Sequence, residues 1–136
     1  MRTEEIGIFE NETACDWLYK LEDREDLSLV MDSLDNVLDV EDDYLEAFEA
    51  EEGLAAAETV ARLKGEWGMR DASTEIVDKW VEEYKITPTK NLIKKSLAVV
   101  ARIQKAPSEL LELQKDGKKF DEWKNVLDDL TERLKR

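Results

Sequence analysis

Apolar side chains recur along almost the whole chain at intervals of three and four residues, and this spacing constrains the fold more than any other feature. A helical turn gathers such positions on one face, whereas a half-buried strand needs strict alternation, which no window shows. Proline, which interrupts helices, occurs only at Pro88 and Pro107. Ile6-Gly7-Ile8-Phe9 is the nearest approach to a strand and is too short to be assigned as one. The expected fold is all-α: a single compact, irregular helical bundle of about six to seven helices, forming one domain over residues 1–136.

The helices can be placed by their caps. Asn11 is a good N-cap for a first helix reaching Leu21, with Ala14, Trp17, Leu18 and Leu21 on one face. Asp26 caps a second helix whose stripe is Leu27, Val30, Met31, Leu34, Val37 and Leu38, with Asp32, Ser33, Asp35, Asn36 and Asp39 facing out. Tyr44-Leu45-Glu46-Ala47-Phe48 reads as a turn or a helical start. A third helix spans 51–64, carries the run Leu54-Ala55-Ala56-Ala57 and ends at Gly65, followed by a loop through Gly68. A fourth runs from Ser73 to Tyr84. Thr87-Pro88 signals the start of a fifth, ending near Lys105. Its apolar residues Leu92, Ile93, Leu97, Val99, Val100 and Ile103 point to several sides, which places it at the centre. Pro107 opens a short sixth helix stopped by Asp116-Gly117. Phe120, Trp123, Leu127, Leu130 and Leu134 form a regular seam on the last.

Charge is unevenly distributed. Residues 1–58 hold twenty acidic and three basic side chains, a balance of −17, while the rest hold fourteen and seventeen, a balance of +3. The acid is densest at Asp39-Val40-Glu41-Asp42-Asp43, where carboxylates crowd the negative end of the second helix. Such asymmetry bears on partners rather than on fold.

Several chemistries are excluded. The chain has no histidine and one cysteine, Cys15, so His/Cys metal centres and Ser-His or Cys-His dyads cannot be built. No EF-hand spacing occurs among the acids, and no Gly-Lys-Ser/Thr phosphate loop is present. No metal, cofactor or catalytic residue is expected, and the chain reads more as a binding protein than as an enzyme. The lysines at 90, 94, 95, 115, 118 and 119 lack interleaved exposed aromatics, and the acidic balance repels a phosphate backbone, so nucleic-acid binding is not expected. Met1-Arg2-Thr3-Glu4-Glu5 lacks the apolar run of a secretory leader, and no segment approaches a membrane span. A cytoplasmic protein is expected.

Gly7-Ile8-Phe9-Glu10-Asn11-Glu12-Thr13-Ala14-Cys15-Asp16-Trp17-Leu18 resembles the opening of a bacterial family catalogued as domain of unknown function 4259. Its pattern there is Gly-x-Phe-Glu-Asn-Asp-x-Ala-x-Asp-Trp. Tyr44-Leu45-Glu46-Ala47 with the alanine-rich stretch through Ala61 resembles its middle block. Ser108-Glu109-Leu110-Leu111-Glu112-Leu113 and the Trp123 helix resemble its last block. The chain departs at Met1–Ile6, which lacks the Trp-Gly elements, and at Glu12, where Asp is usual. The resemblance implies no assigned activity.

Two sets of candidate site residues emerge. Asp35, Asp39, Glu41, Asp42, Asp43 and Glu46 are expected to present an acidic face to a basic protein partner, in an immunity-type role that masks a cationic nuclease. The alternative is a carboxylate enzyme or small-ligand protein with a helix-lined pocket drawn from Phe9, Asn11, Asp16, Trp17 and Glu58, assisted by Tyr44. Glu58, if buried, requires a cation, for which Arg102 and Lys94 are the expected partners. Self-association of the acidic front with the lysine-rich rear, giving a homo-oligomer, is a third reading.

Overall fold

An alanine-rich helix is the hub of the fold. The computed structural model describes residues 6–136, so the acidic opening Met1-Arg2-Thr3-Glu4-Glu5 lies outside the described residues. The helices are α1 (Glu12–Glu22), α2 (Ser28–Leu38), α3 (Ala47–Leu63), α4 (Glu75–Tyr84), α5 (Lys90–Ile103), α6 (Glu109–Asp116) and α7 (Phe120–Lys135). A 3₁₀ turn at Ala72–Thr74 leads into α4. Among the described residues there is no strand, only an isolated bridge between Leu45 and Ser108. Ile6–Phe9 leads into a turn closed by the Glu10 amide donating to the Gly7 carbonyl at 3.1 Å.

Local chemistry explains most boundaries. The Asn11 side chain accepts the Ala14 N–H at 2.7 Å and starts α1. Asp26 accepts from the Ser28 amide at 3.0 Å, so α2 starts two residues later than the sequence suggests. Gly65, at φ 88°, ends α3 where a left-handed residue is required. Its amide donates to the Arg62 carbonyl, and the Glu66 amide donates to Ala61, which satisfies two of the last free carbonyls. The start of α5 is later than Thr87-Pro88 suggests: Thr89 is the cap and accepts from the Leu92 amide at 3.1 Å. Thr87 and Pro88 precede the helix. The start of α3 is displaced too: it begins a turn before residue 51, because Glu109 accepts the otherwise orphaned Ala47 amide at 2.8 Å, and α4 and α6 begin at Glu75 and Glu109 rather than at Ser73 and Pro107.

The central helix is α3, not α5 as hydrophobicity suggested. It contacts all six other helices. Every residue from Gly53 to Arg62 is buried. By contrast α5 buries Leu92, Ser96, Val99, Val100 and Ile103 and turns Lys94 to solvent. Small side chains explain the difference. Alanine adds little hydrophobicity, but it lets neighbours approach from every side.

The closest approach is at Gly53. A methyl group there would lie 2.6 Å from Val37 Cγ2 on α2 and 3.1 Å from Val99 Cγ1 on α5. Valine is stiff at χ1, so it has little room to move. Gly53→Ala gains roughly 1 kcal/mol of helix propensity. Overpacking costs roughly 1–3 kcal/mol, and the clash should win. A lower urea midpoint for the alanine variant is expected; an unchanged or higher one would show that the helices relax freely.

Candidate functional site

The interior of this bundle is charged. Glu58 and Arg62 are each 3% exposed and Arg133 is 5% exposed, with Asp78 also buried beside them. Glu58 and Arg62 are one helical turn apart and share a face of α3. The Arg62 Nε donates to Glu58 Oε2 at 2.9 Å, its Nη1 donates to Asp78 on α4, and its Nη2 donates to the Met69 carbonyl at 2.8 Å. From α7, Arg133 grips Glu58 with two donors, Nη1 to Oε2 and Nη2 to Oε1, each at 2.7 Å. Its Nε reaches Asp129 at 2.8 Å. Asp78 is held further by the Thr74 hydroxyl at 2.8 Å and by Arg70 at 3.3 Å. Two acids and two arginines thus cancel in the interior, as buried charge requires.

Burial acts against the Arg133 charge, but the hydrogen bonds and negative charge of Glu58, with Asp129 behind them, outweigh it. The guanidinium is therefore held above its ordinary pKa. Gly68 lies flat on this group: a methyl there would meet Arg133 Cζ at 3.0 Å. The Gly65–Gly68 loop thus packs on one side of Arg133, whose Nη1 also donates to the Glu66 carbonyl at 3.2 Å. Arg70 stacks on Trp67 with its Cζ 4.3 Å from the ring centroid.

Above the cluster a cleft of about 450 Å³ opens between residues 6–10, the 69–74 segment and α7. Of the pocket residues expected from sequence, Phe9 and Glu58 line it. Asn11 is occupied as a helix cap, and Asp16 is exposed on α1. Trp17 is fully buried, and its Nε1 donates to Ser33 Oγ at 2.9 Å. That bond also explains why Ser33, expected to face out, is buried. The expected Glu58 partners are corrected too. Lys94 is exposed, and Arg102 is engaged elsewhere. Sequence reasoning missed Arg62, Asp78 and Arg133. The signal was present: Arg62 is four residues from Glu58, Asp78 interrupts the apolar face of α4, and Arg133 sits within the α7 seam.

The acidic stretch is organised by Arg102. Its Nε and Nη2 donate to the carbonyls of Glu41 at 2.8 Å and Asp43 at 2.7 Å, and Nη2 and Nη1 also reach Pro107 and Lys105. The guanidinium ties the backbone of this turn and bonds none of its carboxylates. Glu41 takes a left-handed φ of 54° in this turn. Asp39, Glu41, Asp42, Asp43 and Glu46 are exposed. Among the described residues no Lys or Arg side chain forms an ion pair with them. Asp35 differs: it is half-buried and pairs with Lys95 at 2.9 Å. Tyr44 and Phe48, 48% and 51% exposed, stand among these acids. The Tyr44 hydroxyl donates to Glu112 at 3.2 Å, away from the cleft. Burial, then Glu112, Glu109 and Glu46, push this phenol up.

At the start of α3, burial holds the Glu51 carboxyl above its ordinary value, with the Thr13 hydroxyl opposing and Glu109 adding to the shift. A carboxyl raised in the folded state weakens the fold wherever it is ionised. Glu51→Gln should therefore raise the melting temperature at pH 7. The advantage should shrink as pH falls into the carboxylate range, where the native side chain takes up its proton. Thermal melts at both pH values check the sign, and a lower melting temperature for the variant at pH 7 would reverse it.

Among the described residues no group of three or more His, Cys, Asp or Glu side chains is placed to hold a metal ion, and no helix is long and apolar enough to cross a membrane. No curated protein and no solved structure matches the chain. A family model does match, over residues 5–126, and it covers both the ion cluster through Asp78 and the acidic turn. The chain belongs to the family described as Domain of unknown function (DUF4259).

Proposed function

We propose that this protein is a cytoplasmic interaction domain whose acidic turn docks a basic protein partner, in the manner of an immunity protein masking a cationic toxin. The observation that carries the reading is the use made of Arg102. It ties the turn by the backbone carbonyls of Glu41 and Asp43, and among the described residues the exposed carboxylates of Asp39, Glu41, Asp42, Asp43 and Glu46 form no ion pair. A cluster of unpaired charge on a turn of held shape is suited to steering an oppositely charged partner. Tyr44 and Phe48 supply the aromatic anchors that usually carry binding energy in an interface.

The product of the gene adjacent to this one is the partner to test first, with association followed by stopped flow across a salt series. The on-rate should fall by roughly one to three orders of magnitude from low to high ionic strength. The Asp39→Asn, Asp42→Asn, Asp43→Asn triple variant should slow association at low salt, whereas Tyr44→Ala should chiefly quicken dissociation. A complex whose on-rate ignores both salt and the triple variant would end the proposal.

A further inference from the structure

The cleft over the ion cluster is separate from the acidic turn and has its own chemistry. Its walls are predominantly apolar, formed by Ile8, Phe9 and Val126 with Met69 at the mouth. A volume of about 450 Å³ lies within the range of small-molecule sites. Its charged lining is four carboxylates, Glu10, Glu58, Asp71 and Asp129, against two guanidiniums, Arg62 and Arg133. The guanidiniums are engaged by Glu58, Asp78 and Asp129. An anionic ligand would have to displace one of these bonds and pass three exposed carboxylates at the rim. A cation meets four carboxylates against two guanidiniums, and although Glu10, Asp71 and Asp129 accept from Gly7, Ser73 and Arg133, each does so through one oxygen and keeps the other for a ligand.

We propose that this cleft binds a small molecule with an apolar body and a single ammonium group. The body lies against Phe9 and Val126, and the ammonium group sits at the rim between Glu10, Asp71 and Asp129. This site does not depend on the acidic turn and stands or falls separately from it.

Octylamine, octanol and octanoate share one alkyl chain and differ in the head, so together they test both parts of the proposal. Each is titrated into the full chain at neutral pH while methyl shifts of Ile8, Val126 and Met69 are followed by NMR. Octylammonium should shift these methyls with a dissociation constant on the order of 1 mM. Octanol should bind more weakly, and octanoate should not bind. Glu10→Gln, which keeps an oxygen to accept the Gly7 N–H, should weaken octylammonium about two- to fivefold and leave octanol unchanged. Val126→Trp should fill the cavity and abolish the shifts of Ile8 and Met69 for all three probes, with a thermal melt confirming that the variant is folded. Tighter binding of octanoate than of octylamine would overturn the assignment. So would a Glu10→Gln variant with unaltered affinity, or a complete absence of shifts in the cleft methyls at millimolar octylamine.

Discussion

Glu58→Ala is expected to lower stability by about 3–5 kcal/mol. The carboxylate accepts three hydrogen bonds from two buried guanidiniums, and its removal leaves Arg133 with Asp129 as its only remaining anion. Arg62 keeps Asp78, so the stranded charge is mainly that of Arg133. Glu58→Gln keeps the volume but places an amide N–H₂ against guanidinium donors, and it should lose a comparable amount. Folded proteins hold only about 5–15 kcal/mol in reserve, so either variant should be close to unfolding at 37 °C. The converse experiment separates charge from packing. Combining Glu58→Leu with Arg133→Met removes both buried charges together and should recover most of the loss, because an apolar replacement of a whole pair is often near neutral. Urea denaturation of Glu58→Leu, Arg133→Met and the double variant closes the cycle. A single-variant loss below about 1 kcal/mol, or a double variant no better than the singles, would show that water reaches the cluster and screens it.

The second large effect is at Trp17. Its indole is fully buried and donates from α1 to Ser33 on α2. Trp17→Ala should cost about 3–5 kcal/mol through lost burial and the cavity left behind. The Ser33 hydroxyl then also lacks its donor, which adds to the loss. Trp17→Phe keeps much of the volume and removes only the N–H, so it should cost clearly less. Pairing it with Ser33→Ala should return part of that difference, since both ends of the bond are then apolar. Circular-dichroism melts of the three variants check the order. If Trp17→Phe were as damaging as Trp17→Ala, the hydrogen bond would matter more at this position than the packing of the ring.

The helices were legible because their stripes and caps are local. Asn11, Gly65 and the α7 seam from Phe120 to Leu134 needed no knowledge of the rest of the chain. The central helix was not legible, because alanine carries little hydrophobic signal and its value is in what it lets neighbours do. Ser33 was misplaced for a related reason: a hydroxyl reads as surface until a buried Trp17 N–H claims it. Glu58 stood out as a carboxylate that would need a cation, yet its partner could not be chosen. Arg133 lies 75 residues away, and only the packing of α7 on α3 brings the two together. The acidic turn was visible in composition, whereas the part played by Arg102, 59 residues beyond Asp43, was not.

That 75-residue separation also sets an order of events during synthesis. A nascent chain that has emerged only as far as α6 already contains Glu58, Arg62 and Asp78, but it lacks the guanidinium that clamps the first of them and the α7 carbonyls that receive Lys64. Until α7 is released from the ribosome, the alanine hub has one flank open, and Glu58 and Asp78 share the single guanidinium of Arg62. The bundle should therefore lock late, in a single cooperative step, rather than helix by helix as the chain appears.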